Sequence, residues 1–354
     1  MPDATHGVVR VTGADDLERA GVRILMTNAF HLMLRPGISA VRTLGGAKRF
    51  LGWDGILATD SGGFQAYSLI RQNSAYGHID DRGLLIRPAA SGEKILLGPA
   101  KAIQNQMRLG GDILFCLDDC THPGDAQSEQ EASVRRTIAW ARESKRVFSD
   151  LVERQPQKKA SRPLLFGVIQ GGRDHRLRRT CAEALLEIGF DGFGYGGWPV
   201  DEQGRLVRDI LELTRELVPR EFPMHALGVG HPASIVDCAR MGYRLFDSAL
   251  PTRDARRGRI YCFAGDEPNL NADTNSWLAF LYMQDERHMK DSRPLSSLCP
   301  GPCCTRYSRG YLHHLHRIED GLFSRLATIH NLTFMRRLTD LLREKQTVKA
   351  DRYE

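Results

Sequence analysis

At 354 residues, with 42% hydrophobic and 26% charged residues, the chain is long enough for one large globular domain plus an appendage, and its composition excludes a disordered or fibrous class. It has no run of 18 apolar residues, and its start, MPDATHGVVRV, lacks the charged and apolar segments of a signal peptide, so a cytosolic protein without a membrane span is expected. The net charge of +6 suits a nucleic-acid partner without demanding one.

From residue 23 onward, short β-rich runs that end in polar residues or glycine alternate with stretches of helical period. The runs are RILMTNA (23–29), GILATD (55–60), DILFCLDD (112–119), LLFGVIQ (164–170), FGYGG (193–197), HALGVG (225–230) and RLFDSAL (244–250). Among the intervening stretches, 130–148 places Val134, Ile138, Ala141 and Phe148 on or near one helical face, and 174–188 does the same with Leu177, Cys181, Leu185 and Ile188. This alternation predicts a parallel sheet. Near-continuous apolar strands, and a first unit without a G-x-G-x-x-G fingerprint, favour an α/β fold of the (β/α)8 TIM-barrel type over an open sheet. An eighth strand has to come from residues 1–10, a segment short for that task. The barrel is expected over 1–263, followed by a helical subdomain over 264–354 in which Cys299, Cys303 and Cys304, with His330, make up the ligand set for zinc.

The strand ends carry the chemistry. Asp60, Asp118, Asp119, Gln170, Gly196, Gly197, Gly228, Gly230 and Asp247 all fall at or just beyond the ends of runs. In a barrel these ends surround one mouth, where acids and close-approach glycines read as catalytic; each acid taken alone reads equally well as a helix cap. In TDSGG, two glycines after Asp60 let backbone approach a ligand, and Phe64 is available to cover a flat group. In LFDSALPTRDARRG, Asp247 is followed closely by Arg253, Arg256, Arg257 and Arg259: a rigid carboxylate beside a cluster suited to a polyanion.

Five of the eight cysteines are scattered, whereas Cys299, Cys303 and Cys304 are bunched. With His330, 26 residues beyond Cys304, they supply three thiolates and one imidazole, the ligand set of a closed structural zinc site; three reduced cysteines without metal are the alternative. His313 and His314 are adjacent on a predicted helix and are read as surface or interface residues.

TNAFHLMLRPG (27–37), TDSGGFQ (59–65), DDCTHP (118–123), VIQGG (168–172), GYGG (194–197), LGVG (227–230) and FDSALPTRDAR (246–256) together resemble the tRNA-guanine transglycosylase, or queuine tRNA-ribosyltransferase, family, in order over essentially the whole chain. The resemblance implies a zinc-bearing (β/α)8 barrel that exchanges the wobble guanine (position 34) of tRNA for a 7-deazaguanine base in queuosine biosynthesis. It implies Asp247 as a nucleophile that forms a covalent ribosyl-aspartate, Asp60 as general acid/base, Phe64, Asp118, Gln170, Gly197 and Trp198 as base-binding residues, and Arg253 and Arg256 as RNA-binding residues. For the metal it implies Cys299, Cys304 and His330, with Gly301 where the family has its middle cysteine and Cys303 as the substitute.

Other departures are the short start, a long segment at 264–298, Ser248 in place of a cysteine and Trp198 in place of a leucine, while Cys120 and Val200 resemble bacterial members that take the aminomethyl base preQ1. Tyr307, Tyr311 and His314 share a helical face where the family places its homodimer contact. The rival readings are a non-catalytic nucleic-acid-binding relative or partner subunit, and the same exchange on DNA. Retention of both Asp60 and Asp247 favours the enzyme.

Overall fold

The computed structural model describes residues 1–87, 92–154, 162–265, 269–270 and 275–350. Eight parallel strands follow one another around a single sheet: β1 (Asp3–Ala4), β2 (Ile24–Thr27), β3 (Ile56–Thr59), β4 (Ile113–Phe115), β5 (Leu164–Ile169), β6 (Gly192–Tyr195), β7 (Met224–Ala226) and β8 (Leu245–Phe246). β2 to β8 coincide with the seven apolar runs, β6 and β7 each beginning one residue before theirs. β1 is only two residues long, yet the Pro2–Ser248 bridge, Met1 N donating to Phe246 O at 2.7 Å and Ser248 N donating to Met1 O at 3.2 Å join the two edges. The sheet is thereby curled into a barrel.

The strands read as continuously apolar because both faces are buried. Met26, Ala58, Ile113, Phe115, Phe166 and Val168 alternate inward and fill the barrel. Their neighbours Leu25, Leu57, Leu114, Leu165 and Ile169 point outward against the helical layer. The predicted helices are present as Gln127–Glu153 and His175–Ile188, the latter capped by the Asp174 side chain, which accepts from the amides of Arg176 and Leu177.

Two additions flank the barrel. A three-stranded antiparallel sheet (Gly77–Asp80, Gly83–Ile86, Ile95–Leu97) interrupts the connection from β3 to β4. After β8, the helix Leu250–Arg256 leads into an antiparallel pair, β9 (Arg259–Phe263) and β10 (Leu278–Tyr282); of the long 264–298 segment, 266–268 and 271–274 lie outside the described residues. The helix Gly321–Ala350 packs on Leu250–Arg256 and β9, and Arg325 on it forms a two-pronged ion pair, 2.8 Å at each oxygen, with buried Asp16. On the helix Arg309–Arg317 the expectation for His313 is corrected: it is buried, with Nδ1 2.7 Å from Met283 O, because it shares the inward face with Leu312 and Leu315. His314 is exposed, as expected.

Candidate active site

A cavity of about 300 Å³ opens at the carboxyl ends of the barrel strands. Asp60, Phe64, Asp118, Gln170, Gly197, Trp198 and Asp247, dispersed over 188 positions of sequence, all line it.

Asp60 sits just past β3 and is held by the end of β2. Its Oδ1 accepts from Ala29 N (2.9 Å) and Gly62 N (3.1 Å), and its Oδ2 from Asn28 Nδ2 (2.6 Å). Gly62 has φ +80°, and a Cβ there would lie 2.9 Å from Phe30 Cβ, so this grip on the carboxylate requires glycine. Asp247, just past β8, receives Gly228 N on Oδ1 at 3.0 Å, and His225 Nε2 lies 2.8 Å from the same oxygen.

These surroundings drive the two acids apart. Burial pushes Asp60 up to about 8 against the amides of Ala29 and Gly62, and the charges of Asp3 and Asp247 add to the rise. Burial also acts on Asp247, but His225 and Gly228 outweigh it and hold that carboxyl below its ordinary value. One cavity thus presents a protonated acid and an ionised carboxylate at neutral pH, the division of labour that acid/base chemistry at a glycosidic carbon uses.

Opposite them is a polar edge. Gln170 Nε2 donates to Asp118 Oδ2 at 2.6 Å, while Gln170 Oε1 is buried without a hydrogen-bond partner among the described residues. An orphaned acceptor beside an acid pushed by burial up to about 6 suits a ligand edge rich in N–H donors. Gly196 makes room for this amide, since a Cβ there would stand 2.6 Å from Gln170 Nε2. Asp119, adjacent in sequence, turns away and pairs with Arg136 at 2.6 Å. Phe64 and Trp198 meet edge to face at the rim, centroids 5.9 Å apart, and both are exposed enough to close on a flat ligand.

Arg253 and Arg256 lie outside the cavity lining, on the helix that leaves Asp247. Arg253 is exposed, and Arg256 is half-buried with Nη1 lacking a partner among the described residues. Burial, then the charges of Arg10, Arg253 and Arg257, hold Arg256 below its usual value.

Cys299, Cys303, Cys304 and His330 converge, with their donor atoms all within 4.8 Å of one another. Cys299 Sγ and Cys303 Sγ are 3.8 Å apart, and Cys304 Sγ is 3.3 Å from His330 Nδ1. His330 Nε2 lies 2.8 Å from Tyr261 O, which places the ring proton there and frees Nδ1 as a ligand. Gly301 stands against the cluster, where a Cβ would approach the sulfurs of Cys303 and Cys299 at 3.3 and 3.5 Å. The residues fit a metal ion.

Sequence reasoning passed over three cavity neighbours: Asn28, which grips Asp60; Asp3, on β1; and His225. Asn28 was legible as a polar residue at a run's end, whereas Asp3 precedes the first visible run and His225 lies inside one.

Fold and cavity together define a (β/α)8-barrel enzyme with its site at the carboxyl ends of the strands. The family model described as queuine tRNA-ribosyltransferase matches residues 1–354. The chain is similar to proteins of that name from Methylacidiphilum infernorum (36% identical over 97% of this chain and 86% of the relative) and Novosphingobium aromaticivorans (36%, over 96% and 84%). A third, from Aliivibrio salmonicida, is 35% identical over 100% of this chain and 87% of its own length. The chain belongs to the queuine tRNA-ribosyltransferase family.

Proposed function

We propose that this enzyme exchanges the guanine at position 34 of tRNA for a 7-deazaguanine base, preQ1, in queuosine biosynthesis. The observation that carries the reading is the placement of Asp60 and Asp247 in one cavity of a family member, with burial raising the first while His225 and Gly228 hold the second down. Asp247 attacks C1′ of the flipped nucleotide and the C1′–N9 bond breaks. Its electron pair leaves with guanine, which takes the proton of Asp60. The incoming base returns that proton to Asp60, attacks C1′ and frees Asp247, so no oxidant or second cofactor is consumed. Asp118 and the free Oε1 of Gln170 read the N–H edge of the base, Gly197 and Trp198 supply backbone, Phe64 covers the ring, and Arg253 and Arg256 hold the flanking phosphates. Incubation with unmodified tRNA and radiolabelled guanine tests this: label enters the tRNA if the reading is right, and a nucleic-acid-binding relative incorporates none.

The raised Asp60 value sets a pH limb. As pH rises through about 8, Asp60 loses the proton the leaving base needs, so kcat declines; at lower pH it is retained. Asp60→Asn is expected to lower kcat by about 10²–10³-fold and to abolish this alkaline limb, and a limb that survives the substitution belongs to another group.

Zinc is the proposed occupant of the cysteine–histidine cluster. A tetrahedron with Zn–S bonds of about 2.3 Å has edges of about 3.8 Å, and the Cys299–Cys303 separation of 3.8 Å matches that edge. Bound zinc would tie the turn 299–305 to the helix Gly321–Ala350, making 264–354 a metal-braced subdomain on the barrel 1–263. A homodimer through the face of Tyr307, Tyr311 and His314 completes the proposal; the tyrosine rings stack at 5.2 Å, with Tyr311 40% exposed. Light scattering at micromolar concentration is expected to give a dimer that Tyr311→Ala shifts toward monomer, and a fully active monomer would exclude a functional dimer.

A further inference from the structure

We propose that His225 is a positioning residue for the nucleophile: from inside the barrel it fixes Oδ1 of Asp247, so that Oδ2 is the oxygen presented to the ribose. The proposal rests on the assignment of Asp247 as nucleophile made above.

His225 lies on β7 beside Leu245 of β8, two residues before Asp247, so its inward-pointing ring comes up beneath the carboxylate. It is fully buried, and it packs edge to face on Phe115 with centroids 5.3 Å apart. Its Nε2 approaches Asp247 Oδ1 to 2.8 Å, off the ideal hydrogen-bond axis, and neither ring nitrogen has another polar partner among the described residues. A dry imidazole without a partner is costly, and the one group within reach that offsets the cost is this carboxylate. Gly228 N reaches the same oxygen at 3.0 Å. Both contacts therefore fall on Oδ1 and leave Oδ2 toward the cavity.

The charged groups around the pair sharpen the need for such a contact. Asp3 on β1 and Asp60 after β3 both repel Asp247, and the Met1 amino group, bonded to Phe246 O, attracts it. β4 contributes Phe115 and β6 places Gly194 opposite His225, neither of them charged. Two acids and a buried setting all favour a protonated, unreactive Asp247, and His225 is the largest influence in the other direction. In the displacement the Oδ2–C1′ bond forms, C1′–N9 breaks, the electron pair leaves on the base and the proton comes from Asp60. His225 transfers nothing and stays on Oδ1.

The test combines a steady-state and a spectroscopic readout on the full chain. His225→Phe is expected to lower kcat at least tenfold, with KM for tRNA within twofold, and to move the acidic limb of the kcat profile up by about one pH unit, since an Asp247 without its partner needs a higher pH to ionise. His225→Gln, which keeps a donor but no charge, should recover part of kcat while its acidic limb stays above the parent's; should the Phe variant not fold, this shift alone decides. An acidic limb unchanged in the variant that folds overturns the proposal. Independently of turnover, the His225 Cε1 proton signal, assigned by its loss in His225→Gln, should move in chemical shift in Asp247→Asn relative to the parent at the same pH, because the ring loses the carboxylate 2.8 Å from Nε2. An unmoved signal also overturns the pairing, whereas a moved signal in a protein that incorporates no guanine upholds the pair and removes the proposed reaction.

Discussion

Asp247→Asn is expected to abolish base exchange, lowering kcat by about 10⁴-fold or more, as removal of a covalent nucleophile does. Affinity for tRNA should stay within about twofold, because the arginines proposed to hold its phosphates, Arg253 and Arg256, lie outside the cavity. The carboxamide keeps an oxygen for Gly228 N and nearly the volume of the acid, so the loss would be chemical and not a collapse of the pocket. Denaturing gels of enzyme quenched with tRNA should show a covalent band for the parent and none for the variant. A covalent band with Asp247→Asn would move the nucleophile elsewhere.

The second large effect concerns the metal. Removing zinc with a strong chelator, or substituting Cys304→Ala or His330→Ala, is expected to destabilise the fold by several kcal/mol, since structural zinc contributes on the order of 10 kcal/mol where a fold depends on it. His330 is doubly engaged, with Cys304 at 3.3 Å and Tyr261 O at 2.8 Å, so its loss also removes one of the side-chain bonds from the long helix to β9, leaving those of Asn331. Elemental analysis of the parent should give one zinc per chain, and thermal melts of the variants should fall by roughly 10 °C or more. A parent without zinc, or variants that melt with it, would assign the cluster another role. Gly301→Cys tests the altered ligand spacing: it should leave zinc content at one if Cys303, which lies in the cluster, supplies the fourth ligand.

What the sequence disclosed follows from how barrels bury their strands. β2 to β8 were legible because parallel strands covered on both faces are apolar throughout, whereas β1 contributes only Asp3 and Ala4 and has no pattern to read. The sheet over 77–97 escaped notice because GHID, GLLI and ILL are short and do not alternate. LAFLY of β10 was submerged in a segment noted only as long, and of its partner RIYCF only Arg259 was singled out. In the site, residues at strand ends could be found and residues within strands could not. Strand-end position alone did not separate Asp118 from Asp119, although the family resemblance did; the backbone turns one into the cavity and the other onto Arg136. His225 drew no attention in the sequence because a strand residue ordinarily packs in the core, and here it is buried beneath Asp247.

The bonds between residues 1–2 and 246–248, and the pair between Asp16 and Arg325, 309 positions apart, bear on how the chain is made. While it emerges from the ribosome, β1 has no partner on its outer side until some 245 residues have been added, and Asp16 waits longer for its arginine. Until then the nascent sheet keeps two open edges, the hazard that favours mispairing with a neighbouring chain. Closure and the docking of the last helix are therefore late, coupled events, and a translation pause before residue 325 should leave a protease-sensitive intermediate that bands with chaperones instead of sedimenting as native protein.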